Sequence, residues 1–492
     1  MEKEKAKYLR APIAEAMKAY AADGAMAFHT PGHKQGLGAH PLLRDLITAE
    51  GLREEVSLME ELDDLHEPTM CIKEAQQLAA ELYGTDDAFF MINGTTGAIH
   101  TMLMGALNPG DTVLVPRNAH RSMIGGIILA GARPIFLQPE IDEKLGIAMG
   151  MTLTAVERAV KEHPEAKALA LVYPTYYGVT FDLRKIADFV HDHGLLLLVD
   201  EAHGPHLRFS EELPPQALDC GADMAAQSTH KILGAMTQAS MLLVREGRIN
   251  LERVREAASL LQSTSPNQLL LASIDIARLQ MAENGRETVA RAVRLAEKLR
   301  RDINEIDGLW SFGPEYMNHD GASGLDTTKV TVQVTGIGLT GVEAEYILRH
   351  MYKIQCELSD ARNLLFIISY ADTEKQTAYL LKALQGLARE HRRPALPQKK
   401  MDDWQLPAVP TQGMTPREAF FAPKEDAAFA EAEGHIAAEQ LMFYPPGIPI
   451  LCPGDIIDRE SLQYIKAMQE LGLKVVGPRD ASLQKLQVVR QR

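Results

Sequence analysis

The sequence predicts a doubly wound α/β fold on a mostly parallel sheet, and three observations carry that expectation. Leu195 to Val199 is a continuous apolar run, too short for a helix and branched enough for a strand buried on both faces. Strand and helix patterns alternate between Ala88 and Val199 without the spacing of hairpins. Polar loops follow these strands, which collects polar groups at the carboxyl edge of the sheet, where open α/β sheets bind ligands.

Taken in order, charges and alanines at helical spacing (APIAEAMKAYAADG) predict a first helix that stops at Gly24. Phe28 to Gly36 (FHTPGHKQG) packs histidines, a lysine and glycines into one short stretch and reads as a binding loop of special backbone geometry. His29 and His33 lack the further ligands nearby that a metal site needs. The acidic run Glu60, Glu61, Asp63 and Asp64 reads as solvated surface, with a place at a site entrance left open, and precedes a helix over 71–83. Ala88 to Ile92 is a short strand. Asn93-Gly94-Thr95-Thr96-Gly97 then opens an apolar helix (AIHTMLMGAL). Glycines admit close approach, hydroxyls donate, and a helix N-terminus favours negative charge, so this turn suits a phosphate; it is neither a Walker A loop nor GxGxxG. The strand 111–115 leads into the polar loop Pro116 to Ser122, and ARPIFLQP, ALALVYPTYYG and FDLRKIADFVHDHG continue the alternation.

Asp200 closes the apolar run. A carboxylate at the end of a buried strand is costly without a cation or strong donor to meet it. A second short strand begins at Asp223 and delivers Ser228, Thr229, His230 and Lys231 in succession. Lys231 is followed by the small, apolar ILGAMTQAS, surroundings that would lower its pKa and free the amine as a nucleophile. Ser263 to Gln268 leads a helix (LLLASIDIARLQM), a charged amphipathic helix covers 285–305, and 325–395 reads as strand, helix, strand, helix. A Pro-rich linker from Pro394 to Pro410 precedes a last domain with TPREAFFA (415–422) and YPPGIP (444–449). The domain expectation is an N-terminal arm and loop over 1–60, a large domain over 61–310, a small α+β domain over 311–395 and a C-terminal α+β domain over 396–492.

A formal net charge of -15 argues against nucleic acid as partner and suits cationic small substrates. No apolar run approaches a membrane span and MEKEKAKYLR has no signal-peptide core, so the expected location is the cytoplasm, with no membrane partner. Cys71, Cys220, Cys356 and Cys452 are scattered without metal spacing and read as free buried thiols.

Strand-Asp-x-Ala-His followed by Ser-x-His-Lys resembles the fold-type-I enzymes that use pyridoxal 5'-phosphate (PLP), and in particular the ornithine/lysine/arginine decarboxylase family. TPREAFFA and YPPGIP resemble its C-terminal domain, and the chain looks like the short form without an N-terminal wing domain. The resemblance implies that Asp200 pairs with the pyridine nitrogen and Lys231 holds the cofactor covalently. It implies that Gly94, Thr95 and Thr96 form the phosphate loop and that Ser228 and His230 lie near the phosphate. It places His203 beside the ring and His120 stacked on it, with Thr175 at the ring or its phenolate oxygen. Lys231 or His203 delivers the final proton. The implied reaction is decarboxylation of a basic L-amino acid, arginine first, with lysine or ornithine as alternatives. Segments 28–36 and 263–268 would be shared in a homodimer or larger assembly; Asn267 and Gln268 replace the family's usual Ser-Tyr pair. Glu439, Asp63, Asp64 or Asp455 could meet the distal cation, and no spacing selects among them. More remote readings are an aminotransferase or aldolase, with Arg362 as carboxylate clamp, and a non-catalytic regulatory homologue.

Overall fold

A computed structural model describes residues 7–57, 59–397, 401, 404–443 and 447–490. The principal elements, in chain order, begin with α1 (Pro12–Asp23) and α2 (Cys71–Tyr83), followed by β1 (Asp87–Met91), α3 (Gly94–Ala106), β2 (Thr112–Pro116), α4 (Arg121–Ala130) and β3 (Arg133–Leu137). The chain continues with α5 (Leu153–Glu162), β4 (Ala166–Val172), α6 (Leu183–Asp192), β5 (Leu196–Asp200), β6 (Met224–Gln227), α7 (Thr229–Ile232) and β7 (Ser240–Val244). Two helices follow, α8 (Leu251–Leu261) and α9 (Gln268–Asn304).

These strands form a mixed, mostly parallel sheet, as the alternation predicts. The chain is made of two compact units, 1–106 with 198–210 and 215–287, and 107–197 with 211–214 and 288–492. In the first unit the strand order is β1-β7-β6-β5. Strand β5 runs parallel to β6, while β7 is antiparallel to both β6 and β1. Two reversals restore direction, so β1, β5 and β6 all end at one edge. That edge receives Gly94 after β1, Asp200 at the end of β5 and Ser228 after β6, together with Ser240 at the start of β7. Helix α1 stops at Gly24, whose φ of 75° is the left-handed backbone that favours glycine. A buried ion pair on α9 holds the segment leading into α1: Arg278 pairs with Asp275 at 2.6 Å and its Nη1 donates to the Tyr8 carbonyl at 2.7 Å.

In the second unit β4, β2 and β3 are neighbours, and β2 is parallel to both others. The region predicted as strand-helix-strand-helix is β8 (Lys329–Gln333), α10 (Gly341–Met351), β9 (Leu358–Ser359), β10 (Asn363–Ile367) and α11 (Glu374–Glu390), a three-stranded sheet in the order β8-β10-β9. Its core is aliphatic, with Val330, Val332, Leu364, Leu384 and Leu387 buried. The C-terminal part holds α12 (Pro416–Phe421), β11 (Lys424–Ala428), β12 (Leu441–Phe443), β13 (Ile448–Leu451), α13 (Arg459–Glu470), β14 (Val475–Val476) and β15 (Lys485–Val489). The TPREAFFA motif is a capping box: Thr415 accepts from the Glu418 amide, and Glu418 Oε2 accepts from the Thr415 amide at 2.8 Å. Residues 444–446 of YPPGIP lie outside the described residues.

Three expectations need correction. The separate helices expected after Gln268 and over 285–305 are one 37-residue helix, which continues through the Asn284-Gly285 pair with no proline to break it. The Pro-rich stretch is packed: Trp404 is buried in the C-terminal core, with Leu396, Met401 and Leu406 against it. Its residues 398–400 and 402–403 lie outside the described residues. Cys356 is half-buried, whereas Cys71, Cys220 and Cys452 are buried; all four are free.

Candidate active site

The carboxyl edge of the first unit brings Asp200, His203 and Lys231 together. Asp200 is buried, with the Ala202 amide donating to Oδ1 at 3.2 Å. Burial pushes its carboxyl up from 3.8 to about 6, while the Lys231 charge and the Ala202 amide pull it down. His203 is buried, and its Nε2 lies 3.0 Å from Lys231 Nζ. Lys231 itself is exposed, so the desolvated pocket expected from ILGAMTQAS is not what surrounds it. Small residues downstream leave the amine open rather than covered, beside the His203 imidazole.

The cradle opposite is built by backbone. Gly94 adopts φ 66°, a left-handed turn, and its amide donates to the Gln238 carbonyl at 2.9 Å. A Cβ on Gly97 would stand 2.9 Å from Asn93 Cβ, so the first turn of α3 requires glycine there. The amides that begin this 13-residue helix have no acceptor within it. Thr95 is buried with its hydroxyl 3.2 Å from Ser240 Oγ, and Ser240 Oγ donates to the Gln227 carbonyl at 2.6 Å; Thr96 is exposed. Ser240 escaped the sequence reading because its place depends on β7 running backwards, which leaves only an unremarkable polar residue at a strand start. Ser228 is fully buried, its Oγ 3.3 Å from His230 Nδ1. His230 Nδ1 donates to the Ala239 carbonyl at 2.8 Å, and burial lowers its pKa, so the ring is neutral. The Thr229 hydroxyl beside them is buried without a partner. Together these groups fit a small carbonyl compound that carries a phosphate and a ring cation: an amine for the carbonyl, a carboxylate for the cation and a helix N-terminus for the anion.

Beneath this edge sits a residue that sequence reasoning passed over. Glu201 is fully buried; its Oε1 accepts the Ala217 amide at 2.7 Å and its Oε2 accepts Gln227 Nε2 at 2.8 Å. Burial pushes its carboxyl from 4.5 up to about 8, with the nearby Asp219 charge adding to the rise. The fold therefore holds a proton on Glu201 that the unfolded chain releases above about pH 4.5. Stability then falls as pH rises toward 8 and levels above it, by at most about 5 kcal/mol. Glu201→Gln is expected to flatten this slope, since the Gln227 carboxamide can turn its unpartnered Oε1 toward the new amide. Melting temperatures of the cofactor-free proteins from pH 6 to 8.5 test this; parallel curves would refute it.

The remaining candidates stand in other surroundings. Asp63 was expected on a solvated acidic surface, but it is buried and accepts the amides of Thr69 and Met70 at 2.8 Å and of Ile72 at 3.0 Å, fastening the start of α2. Asp64 is exposed and accepts the His66 amide at 2.9 Å. Glu439 accepts the Arg479 amide at 2.8 Å and the Gln487 amide at 2.9 Å, one on each oxygen. Carboxylates so engaged by backbone have little capacity left for a guanidinium. In the second unit His120 caps α4, its Nδ1 2.7 Å from Ser122 Oγ, and Thr175 is buried with Oγ1 accepting the Val179 amide at 3.1 Å. Arg362 Nη1 donates to the Glu143 carbonyl at 2.6 Å and Nη2 to the Met401 carbonyl at 2.5 Å, which commits the clamp of the transamination reading to the fold. The 28–36 loop has the special backbone expected of it, with Lys34, Gln35 and Gly36 all at positive φ; His33 pairs with Glu55 at 2.8 Å. Among the described residues no group of three or more His, Cys, Asp or Glu could hold a metal ion, and no helix is long and apolar enough to cross a membrane.

A mixed α/β sheet whose edge joins a lysine, a buried carboxylate and a helix N-terminus defines a fold-type-I enzyme. Among solved structures, the Francisella novicida lysine decarboxylase LdcF superposes with a TM-score of 0.85 at 22% identity, covering 97% of this chain and 81% of that one. The family model for the Orn/Lys/Arg decarboxylase major domain matches residues 11–376, and that for the Orn/Lys/Arg decarboxylase C-terminal domain matches 399–478. The chain belongs to the Orn/Lys/Arg decarboxylase family. It is 44% identical to an arginine decarboxylase of Halalkalibacterium halodurans over 98% of both chains, and 26% identical to the inducible lysine decarboxylase of Escherichia coli, covering 95% of this chain and 78% of that one.

Proposed function

We propose that this chain is a PLP-dependent decarboxylase that converts L-arginine to agmatine and CO2, a cytoplasmic step toward polyamines. The observation that carries the reading is the meeting of Lys231, His203 and Asp200 at the sheet edge that also presents the Gly94–Thr96 cradle. Arginine is favoured over lysine because the 44% relative bears the arginine name and the 26% relative the lysine name. PLP supplies, when bound, a protonated ring that takes up the electron pair left by the departing carboxylate.

The protein's own residues do the rest. Lys231 Nζ would hold the cofactor through its amine, and the Asp200 carboxylate would favour a proton on the ring nitrogen. Thr95 and Thr96 would hold the phosphate through backbone amides and hydroxyls, with Gly94 shaping the turn and Ser228 and the neutral His230 beside them. By the family resemblance, His120 would serve as a ring contact and Thr175 as a contact of the ring or its phenolate oxygen. The 3.0 Å contact between Lys231 Nζ and His203 Nε2 supports a shared role in returning a proton to the α-carbon. Asp64, exposed and lightly engaged, is the carboxylate we assign to the distal guanidinium. A second copy of the chain is the expected partner, because Met26, Phe28, Leu37, Leu42 and Leu46 are 67 to 87% exposed along one short stretch.

Parallel assays of amine and CO2 release from arginine, lysine and ornithine with added PLP test the reading. Arginine is expected to lead in kcat/KM by about tenfold, since a guanidinium can pair bidentately with a carboxylate where an ammonium makes only a point contact. A lead by lysine or ornithine would overturn the substrate, and PLP binding without CO2 release from any of them would overturn the reaction.

A further inference from the structure

Helix α4, which His120 caps, is a poor helix by composition: Gly125 and Gly126 sit side by side in its middle. The C-terminal domain grips it just before its first turn and at its last. On the N-terminal side, Arg117 stands three residues before His120. Its Nη2 donates to Asp455 Oδ2 and, at 2.9 Å, to the Ile450 carbonyl. Asp455 is fully buried, the Cys452 amide donates to the same oxygen at 2.7 Å, and the guanidinium lies 4.7 Å from the Phe136 ring centroid. On the C-terminal side, Arg417 of α12 donates through Nη1 to the carbonyls of Ile128 at 2.6 Å and Leu129 at 3.1 Å, in the last turn of α4. Helix carbonyls there have no intrahelical donor, and a cation also suits the negative end of the helix.

We infer that Asp455 and Arg417 are positioning residues through which the C-terminal domain sets the His120 imidazole. This rests on the reading of His120 as a ring contact of the cofactor. It gives the TPREAFFA motif a task, since its capping box fixes the helix that carries Arg417. It also removes Asp455 from the candidates for the substrate's distal cation, because the fold uses it for Arg117.

The test begins on the cofactor-free chain. Arg417 is exposed, so Arg417→Ala should fold. Amide hydrogen exchange in residues 121–130 is expected to speed up in Arg417→Ala and to stay slow in Arg417→Lys, whose ammonium can donate to the same carbonyls. The dissociation constant for PLP should rise about tenfold in Arg417→Ala. Added to His120→Ala, the same change should raise it no further, because the brace acts through His120. Arg117→Leu with Asp455→Leu, which replaces a buried ion pair by apolar side chains, should behave likewise. If His120→Ala weakens PLP binding while the brace variants do not, or if the effects multiply, the inference is wrong and the cofactor reading stands. If His120→Ala leaves PLP binding unchanged, the assignment of His120 fails and takes the inference with it.

Discussion

Lys231→Ala is expected to lower arginine decarboxylation by about 10⁴-fold or more, the scale on which loss of a covalent catalytic group acts. Lys231 Nζ stands at this edge 3.0 Å from His203 Nε2. The phosphate cradle and Asp200 remain in the variant, so it should still bind PLP, without a covalent attachment. Borohydride treatment of the wild type should mark the peptide that carries Lys231 and leave the variant unmarked. Residual CO2 release within tenfold of wild type, or a mark on another lysine, would remove Lys231 from its role.

The second large effect is at Asp200. Asp200→Asn is expected to cost on the order of 10³-fold in kcat, because a carboxamide cannot keep a proton on a ring nitrogen and preorganised charge is the largest single contribution in such sites. The same change should stabilise the cofactor-free protein at alkaline pH. The folded carboxyl titrates near 6 against an ordinary 3.8, so the fold holds a proton that the unfolded chain has lost. Stability of the wild type therefore declines as pH rises from about 4 to about 6, by up to about 3 kcal/mol, and stays low above. Denaturation of both proteins at pH 4 and pH 8 should show the variant ahead only at pH 8. An equal difference at both values would mean that burial of charge at Asp200 is not what strains the empty site. A group that weakens the empty fold and is essential to the reaction is the trade expected at a catalytic centre.

Much of the architecture was legible because it depends on local pattern. The helix expected over 71–83 is α2, residue for residue, and the Gly24 stop is a left-handed cap. The strands around Phe89, Leu114 and Leu198 lie within a residue of their expected places, since a buried strand announces itself as an apolar run between polar loops. Asp200, Lys231 and the Gly94–Thr96 turn could be singled out for a related reason: a carboxylate, an amine and a glycine turn are each out of character beside apolar strands.

What the residues could not disclose is which polar groups the fold would spend on itself. Asp63, Glu439, Asp455 and Arg362 are chemically as fit for a substrate as Asp64, yet backbone amides, backbone carbonyls and a buried arginine claim them. Ser240 reaches the cradle only because β7 runs against its neighbours, and Lys231 is open where its own sequence suggested a covered amine. The sequence by itself determined the elements, the edge they share and the chemical types gathered there, because strand period, helix period and turn chemistry act over a few residues. Tertiary structure alone decided the pairing of Lys231 with His203, the burial of Glu201 and the grip of Arg117 and Arg417 on α4, because hydrogen bonds and desolvation act between residues that the chain brings together from far apart.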